Sequence, residues 1–265
     1  MKTNKMDFTL SAYKKLISTL QSKGYFFQTF EEYVKNSKEK VVMLRHDVDR
    51  KPGNTLAVAK IEKDAGIHAS YYFRIVKESY DENIIIQIAE MGHEIGYHYE
   101  NLATCKGDFG LAIDDFGINL RKLRKLYPVK TICMHGSPLS KWDNRDLWKK
   151  YDYRDFGIIA EPSFDVDFEE VFYLTDTGRS WNNFKVSVRD KVKKTGVRGQ
   201  RSEVGNLKLR KTRDIIEALE KGLLPDKVMI NTHPQRWDDR FGPWVRELIW
   251  QNVKNVVKYF YLRMR

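Results

Sequence analysis

Two acidic residues at the end of an apolar run are the first candidates for chemistry in this chain. The run Val41-Val42-Met43-Leu44 leads into Arg45-His46-Asp47-Val48-Asp49, and side chains two residues apart in a strand point to the same side. Two carboxylates at one strand end repel each other unless a metal ion or a shared proton relieves the repulsion. The segment therefore predicts a metal-assisted hydrolytic site. The alternative is a solvated, Asp-rich turn before Pro52.

Three of the six histidines extend this hypothesis, because each lies at or just beyond another short apolar run that ends in a turn. They are His98, His135 and His233. In a barrel of parallel strands that alternate with helices, the carboxyl ends of the strands meet on one face, where active sites form. One fold hypothesis therefore brings these histidines together with Asp47 and Asp49.

Apolar periodicity predicts the elements that would position these residues. Short apolar runs predict strands at 41–46, 69–73, 94–97, 130–134, 157–160, 171–174 and 227–231. Strands that alternate with helices form a parallel sheet covered on both faces. No Gly-x-Gly-x-x-Gly or Walker loop follows a strand, so a closed or nearly closed α/β barrel fits better than a nucleotide-binding, doubly wound sheet. Residues 1–40 are predicted to form an N-terminal helical extension on a barrel of residues 41–265.

At the same motifs the sequence resembles the polysaccharide deacetylase family, the NodB-homology carbohydrate esterases of the family 4 type. His46-Asp47-Val48-Asp49 is similar to the first family motif, and residues 92–98 are similar to the second. His135-Gly136-Ser137-Pro138 lies where the third motif falls, and residues 231–234 are similar to the closing motif. The resemblance runs in family order from about residue 41 to 235. It implies a distorted (β/α)7 barrel.

The resemblance also implies a reaction. A metal-dependent hydrolase of this type removes an acetyl group from an N- or O-acetylated sugar. Asp47 would be the general base and His233 the general acid, while Asp49 and His98 would bind the metal. The expected ion is zinc, with nickel or cobalt as alternatives.

One family ligand is absent, because the second metal-binding histidine would fall at position 102, which is Leu102. A catalytic zinc ion usually keeps three protein ligands. His135 is therefore the predicted third ligand, and Glu100 and Asp47 are the less favoured candidates. The alternative role of His135 is to orient the base, as an arginine does in the family. Loss of the ligand leaves two other functions open: a metal-independent amide hydrolase on the same fold, or a degenerate barrel that only binds carbohydrate.

Substrate contacts are predicted from residues beside these motifs. Arg45 is in phase with the two acids, and Arg179 and Trp181 could supply a cation and a stacking ring for a sugar. Trp237 follows the closing motif and could form a wall of the pocket. Residues 185–206 carry seven Lys/Arg, which predicts either a solvated basic loop or a loop that holds an anionic part of the substrate.

The net charge of +11 favours anionic partners. No nucleic-acid-binding motif accompanies this charge, so nucleic acid is not expected. The resemblance implies an acetylated sugar or glycoconjugate as the partner, and the charge adds an anionic substituent as one option. The basic N-terminus is followed by an amphipathic stretch, and no apolar stretch is long enough to span a membrane. We therefore expect a cytoplasmic protein without stable membrane insertion, whose oligomeric state the sequence leaves open.

Overall fold

The computed structural model of this protein describes residues 6–181 and 207–263, so the basic segment 185–206 lies outside the described residues. The strands are β1 (Phe26–Phe27), β2 (Val41–Val48), β3 (Ser70–Phe73), β4 (Glu94–Tyr99), β5 (Ile132–Met134), β6 (Phe172–Thr175) and β7 (Lys227–Thr232). The helices are α1 (Leu10–Ser22), α2 (Phe30–Lys35), α3 (Pro52–Asp64), α4 (Glu82–Glu90), α5 (Asn101–Thr104), α6 (Phe109–Arg124), α7 (Pro162–Asp165), α8 (Thr212–Glu220) and α9 (Phe241–Arg263).

The strands form one parallel sheet of seven strands in the order β5-β4-β3-β2-β7-β6, with β1 paired to the start of β2. Cys133 on β5 and Tyr173 on β6 lie at opposite ends of this order. They nevertheless pack in the same buried cluster as Met43 of β2 and Tyr72 of β3. The sheet is therefore curled into a distorted barrel, as predicted, and its described strands β5 and β6 are not joined by hydrogen bonds.

Alternation along β2 divides its residues between two environments. Arg45 and Asp47 face the barrel interior, whereas Leu44 and Val48 pack in the larger apolar cluster that the helices cover. His46 also points outward, where its Nδ1 lies 2.6 Å from Thr232 Oγ1 and its Nε2 lies 2.7 Å from Glu62 Oε1. His46 is therefore a buried structural histidine.

Glu62 of α3 is the centre of this outer polar network. Its carboxylate accepts hydrogen bonds from the hydroxyls of Tyr13 on α1 and Tyr71 on β3, besides His46. Burial alone would raise the pKa of Glu62, but the interactions with His46 and these hydrogen bonds have the larger effect. The pKa of Glu62 therefore lies below its usual value. The network ties two helices to the outer face of the sheet.

Two details differ from the predicted strands. Residues 157–160 are not a strand, because they contribute only an isolated bridge between Thr131 and Ala160. The seventh strand is instead β1, which extends the sheet from the N-terminal region. None of the described helices has the length and apolar character needed to cross a membrane.

The barrel interior is tightly packed at Gly96 of β4. A Cβ atom at this position would lie 2.3 Å from Cε1 of Tyr72 and 3.0 Å from the carbonyl oxygen of Thr131. Only glycine leaves the space that the Tyr72 ring occupies. This packing lies two residues before His98 on the same face of β4.

Candidate active site

A cavity of about 660 Å³ opens at the carboxyl ends of the strands. All five predicted acids and histidines line it, namely Asp47, Asp49, His98, His135 and His233. They come from β2, β4, β5 and β7 or the residues directly after them. The barrel therefore brings together the residues that the strand-end hypothesis grouped.

Asp47 is held in a fixed orientation on the cavity floor. Arg45 donates from Nε to Oδ1 at 2.9 Å and from Nη2 to Oδ2 at 2.6 Å, and Asn231 donates to Oδ2 at 3.0 Å. Burial alone would raise the pKa of Asp47, but the Arg45 guanidinium and His98 outweigh it and hold the pKa below its usual range. Asp47 is therefore ionised and oriented by a bidentate arginine.

Asp49 stands between two imidazoles. Its Oδ1 lies 3.7 Å from Nε2 of His98 and 3.6 Å from Nε2 of His135, while its Oδ2 accepts a hydrogen bond from Gln235 at 3.1 Å. Oδ1 is buried and has no hydrogen-bond partner among residues 6–181 and 207–257. A buried carboxylate oxygen without a donor costs free energy unless a cation faces it.

The other ring nitrogens of these two histidines are engaged, which directs both Nε2 atoms to Asp49. His98 Nδ1 donates to the carbonyl oxygen of Cys133 at 3.0 Å, and His135 Nδ1 donates to Glu100 Oε2 at 2.7 Å. Arg74 donates to both oxygens of Glu100. Such outer hydrogen bonds fix the tautomer of a metal-binding histidine.

The charge state of these groups at neutral pH suits cation binding. Burial lowers the pKa of His98 to about 4, although Asp47 opposes the shift. Burial would raise the pKa of Glu100, but His135 and Arg74 together lower it to about 2. At pH 7, His98 is therefore neutral and Glu100 is ionised, the forms that a metal ligand and its outer carboxylate require.

His233 lines the cavity and is held from behind by the buried carboxylate of Asp176. Its Nδ1 donates to Asp176 Oδ1 at 2.6 Å, and its backbone N–H donates to Oδ2 at 3.0 Å. Arg236 and Trp237 donate to the same carboxylate. Burial alone would raise the pKa of Asp176, but the interactions with Arg236 and His233 have the larger effect. The pKa of Asp176 therefore lies below its usual value. The His233 ring therefore presents Nε2 to the cavity, 3.9 Å from Asp49 Oδ2.

A second donor set overlaps the first. One ligand atom each from Asp47, His98 and Cys133 lie within 4.8 Å of one another, and all three residues are buried. This group could bind a metal ion. The apolar run around Cys133 gives no sign in the sequence that its side chain faces the acids.

Glu161 is a further buried acid near the cavity wall. It accepts hydrogen bonds from the backbone N–H groups of Met134 at 3.1 Å and Ser163 at 2.5 Å. Burial raises its pKa to about 7. Glu161 therefore changes its charge in the physiological pH range.

Three predicted substrate contacts lie elsewhere. Trp181 and Trp237 are 0% and 1% exposed, and their rings pack against each other and against Phe8 in the outer core. Arg179 donates to the carbonyl oxygen of Trp244 at 2.8 Å. None of the three lines the cavity, so no contact with substrate is proposed for them. Arg45 does line it.

Two functional positions were missed from sequence. Asp176 follows the apolar run of β6 and thus sits at a strand end like Asp47, which was the available signal. Glu100 lies two residues after His98, in phase with it, and was considered only as a weak ligand candidate. Leu102 is 1% exposed and packs in the outer core, so the position of the absent family ligand does not face the site.

Comparison with models of protein families gives no match to the sequence. Comparison with curated proteins gives no match either. Comparison with solved structures finds an esterase described as "Structure of a Streptococcus mutans CE4 esterase", with a TM-score of 0.45 and 14% sequence identity. The alignment covers 90% of each chain. We interpret the function of the site from its own geometry.

Proposed function

We propose that this protein is a metal-dependent hydrolase that removes an acetyl group from an N- or O-acetylated sugar. The observation that carries the proposal is the buried Asp49 Oδ1, which has no donor among the described residues and faces the Nε2 atoms of His98 and His135. A carboxylate and two imidazoles are a ligand set typical of catalytic zinc, which leaves further positions open for water and substrate.

Asp49, His98 and His135 are the proposed ligands. Asp47 is the less suitable metal ligand, because the Arg45 guanidinium already pairs with its carboxylate and would repel a second cation there. In this role His135 takes the place of the family's histidine ligand, which is absent because position 102 is a leucine. Glu100 is the outer carboxylate that accepts a hydrogen bond from His135. When bound, a divalent metal, with zinc the first expectation, supplies Lewis acidity toward the acetyl carbonyl and lowers the pKa of a water molecule.

Asp47 is the proposed general base. Its ionised form is secured by Arg45, and it lies on the cavity floor 3.9 Å from His98 Nε2. A water molecule between Asp47 and the acetyl carbonyl would lose its proton to this carboxylate. Arg45 and Asn231 keep the carboxylate in place while the proton moves.

His233 is the proposed general acid. Asp176 fixes its Nδ1–H tautomer, so Nε2 is the atom that exchanges a proton with the substrate. The proton goes to the leaving amine of an N-acetyl group or the leaving alcohol of an O-acetyl group. The Asp176 carboxylate stabilises the imidazolium form that exists before this transfer.

Metal content tests the ligand assignment. We expect elemental analysis to find one divalent ion per chain in the native protein and none in an Asp49→Ala/His98→Ala variant. A Cys133→Ser variant should keep its metal, because Cys133 belongs only to the overlapping donor set. Loss of metal in Cys133→Ser with retention in Asp49→Ala would refute the proposed set.

Activity tests the reaction. Native protein and Asp47→Asn should be compared on a panel of N- and O-acetylated sugars, with released acetate as the measured product. We expect the variant to lose at least about 10²-fold in kcat. Unchanged acetate release by Asp47→Asn would exclude the proposed base. Full activity after exhaustive chelation would favour a metal-independent amide hydrolase, the function that the buried Leu102 motivates.

A further inference from the structure

The cavity has an apolar side that deacetylation of a simple sugar does not require. This wall includes Pro138, Leu139, Phe168, Trp250, Val253 and Val257, and the apolar residues Met134 and Pro162 also line the cavity. Trp250, Val253 and Val257 come from α9 and are 49%, 50% and 53% exposed. Their spacing of three and four residues places them on one face of the helix. A half-exposed aliphatic surface beside a polar reaction site favours a ligand with an aliphatic part.

The helix that carries the wall is anchored to the barrel. Glu247 of α9 forms ion pairs with Arg50 at 2.6 Å and with Lys51 at 2.9 Å, in the segment directly after Asp49. Asn255 donates from Nδ2 to the carbonyl oxygen of Gly178 at 2.9 Å. These contacts hold α9 ahead of Trp250 and between Val253 and Val257, and the three side chains line the same cavity as Asp47 and His233.

A cation lies on the same wall. Six basic residues line the cavity, and five of them have a carboxylate partner: Arg45 with Asp47, Arg50 with Glu247, Arg74 with Glu100, Arg145 with Asp143, and Arg236 with Asp176. The sixth, Lys254, forms no ion pair with residues in the described part of the chain. Burial and the neighbouring Arg50 lower the pKa of Lys254, and its Nζ lies 5.3 Å from the centre of the Trp250 ring. An anion bound at Lys254 would offset both effects.

We propose that the substrate is an acetylated sugar joined through a phosphate to an aliphatic chain, with the phosphate at Lys254 and the chain against Trp250, Val253 and Val257. This inference rests on the proposed deacetylase function. It adds the substrate class: an anionic lipid-linked sugar. The sugar would occupy the polar side of the cavity beside Asp47 and His233.

Binding of matched ligands tests the inference separately from catalysis. The ligands are the methyl and octyl phosphodiesters of one acetylated sugar, titrated calorimetrically into Asp47→Asn protein so that hydrolysis does not interfere. Burial of three to four methylenes, each worth about fourfold (about 0.8 kcal/mol), gives an expected preference of about 100-fold for the octyl ester. Equal affinity for the two esters would overturn the proposal.

Variants of α9 supply the matched control. Val253→Ser/Val257→Ser should reduce the octyl preference about tenfold or more. Ile249→Ser/Val256→Ser, whose positions on the same helix are 60% and 57% exposed and outside the cavity lining, should keep it. Lys254→Met should weaken binding of the octyl phosphodiester but not of the uncharged octyl glycoside.

The outcomes separate this inference from the proposed function. If the native protein releases acetate from the methyl ester but shows no octyl preference, the function stands and the substrate class is wrong. If the octyl preference depends on Val253 and Val257 but no acetylated sugar is hydrolysed, the ligand class stands and the reaction is wrong.

Discussion

Replacing Asp176 by asparagine should destabilise the protein strongly, because four donors converge on this one buried carboxylate. Oδ1 accepts from His233 Nδ1 and Arg236 Nη1, and Oδ2 accepts from the His233 backbone N–H and Trp237 Nε1. The side chain of Asp176 is 0% exposed and that of Arg236 is 7% exposed. In Asp176→Asn an NH2 group replaces one carboxylate oxygen, so the two groups that donated to that oxygen now face another donor. Arg236 also loses the charge of its ion-pair partner. Breaking a buried pair in this way costs about 3–5 kcal/mol.

Urea denaturation at pH 7 measures this cost. We expect the free energy of unfolding to fall by about 3–5 kcal/mol in Asp176→Asn, while Asp146→Asn, which breaks an exposed pair with Lys149, should change it by no more than about 0.5 kcal/mol. Because folding lowers the pKa of Asp176, the native advantage is complete above the unfolded pKa of about 3.9 and is lost as the pH falls below it. A loss of less than about 1 kcal/mol at pH 7 would refute the assignment of Asp176 as the fixed, ionised partner of His233 and Arg236.

Three further predictions follow from buried positions. Gly96→Ala should lower the free energy of unfolding by about 1–3 kcal/mol, because the new Cβ would lie 2.3 Å from the Tyr72 ring; Gly53→Ala, with no atom within 4 Å of the new Cβ, is the control, and equal effects would contradict this reason. Since folding raises the pKa of Glu161 to about 7, this carboxyl group binds more protons in the native than in the unfolded state between about pH 4.5 and 7, and its own contribution to stability should fall by about 3 kcal/mol across that range. The difference in the free energy of unfolding between the native protein and Glu161→Gln should change by this amount when denaturation is measured at several pH values, and a constant difference would disprove the shifted pKa. Glu62→Ala should lower the free energy of unfolding by about 3 kcal/mol or more, because His46 and two tyrosine hydroxyls lose their acceptor. A melting temperature equal to that of the native protein would contradict this network.

Most of the fold could be predicted from the sequence, because the apolar runs of β2, β3, β4 and β7 predict strands and the same residues are buried in the structure. Apolar runs of this kind produce strands buried on both faces. The prediction failed at residues 157–160, where an apolar run makes a single bridge at Ala160. It also gave residues 26–27 no place in the sheet, since Phe26–Phe27 is too short for periodicity to appear and pairs as a strand only because β2 lies beside it. The division into an extension at 1–40 and a barrel at 41–265 stays a prediction, as does the cytoplasmic location.

The candidate site was predictable where its side chains lie in phase on strands. Alternation assigned Asp47 and Asp49 to one side of their strand, and the parallel order of the strands added His98 at the end of another strand. Pairings across the barrel could not, because the partners lie far apart in the chain: His233 with Asp176 is one case and Asp47 with Asn231 is another. Trp181 and Trp237 were assigned to the substrate on residue type, but residue type does not distinguish a sugar platform from a core ring.

The alternation of β2 has a consequence for how the active protein can form. His46 and Asp47 are neighbours in the chain, yet His46 contacts the helix-covered network of Glu62, and Asp47 contacts Arg45 inside the barrel. A slip of β2 by one residue against β3 and β7 would send each side chain to the wrong face and break both networks together. The proposed metal binding and acetate release should therefore both depend on correct strand register.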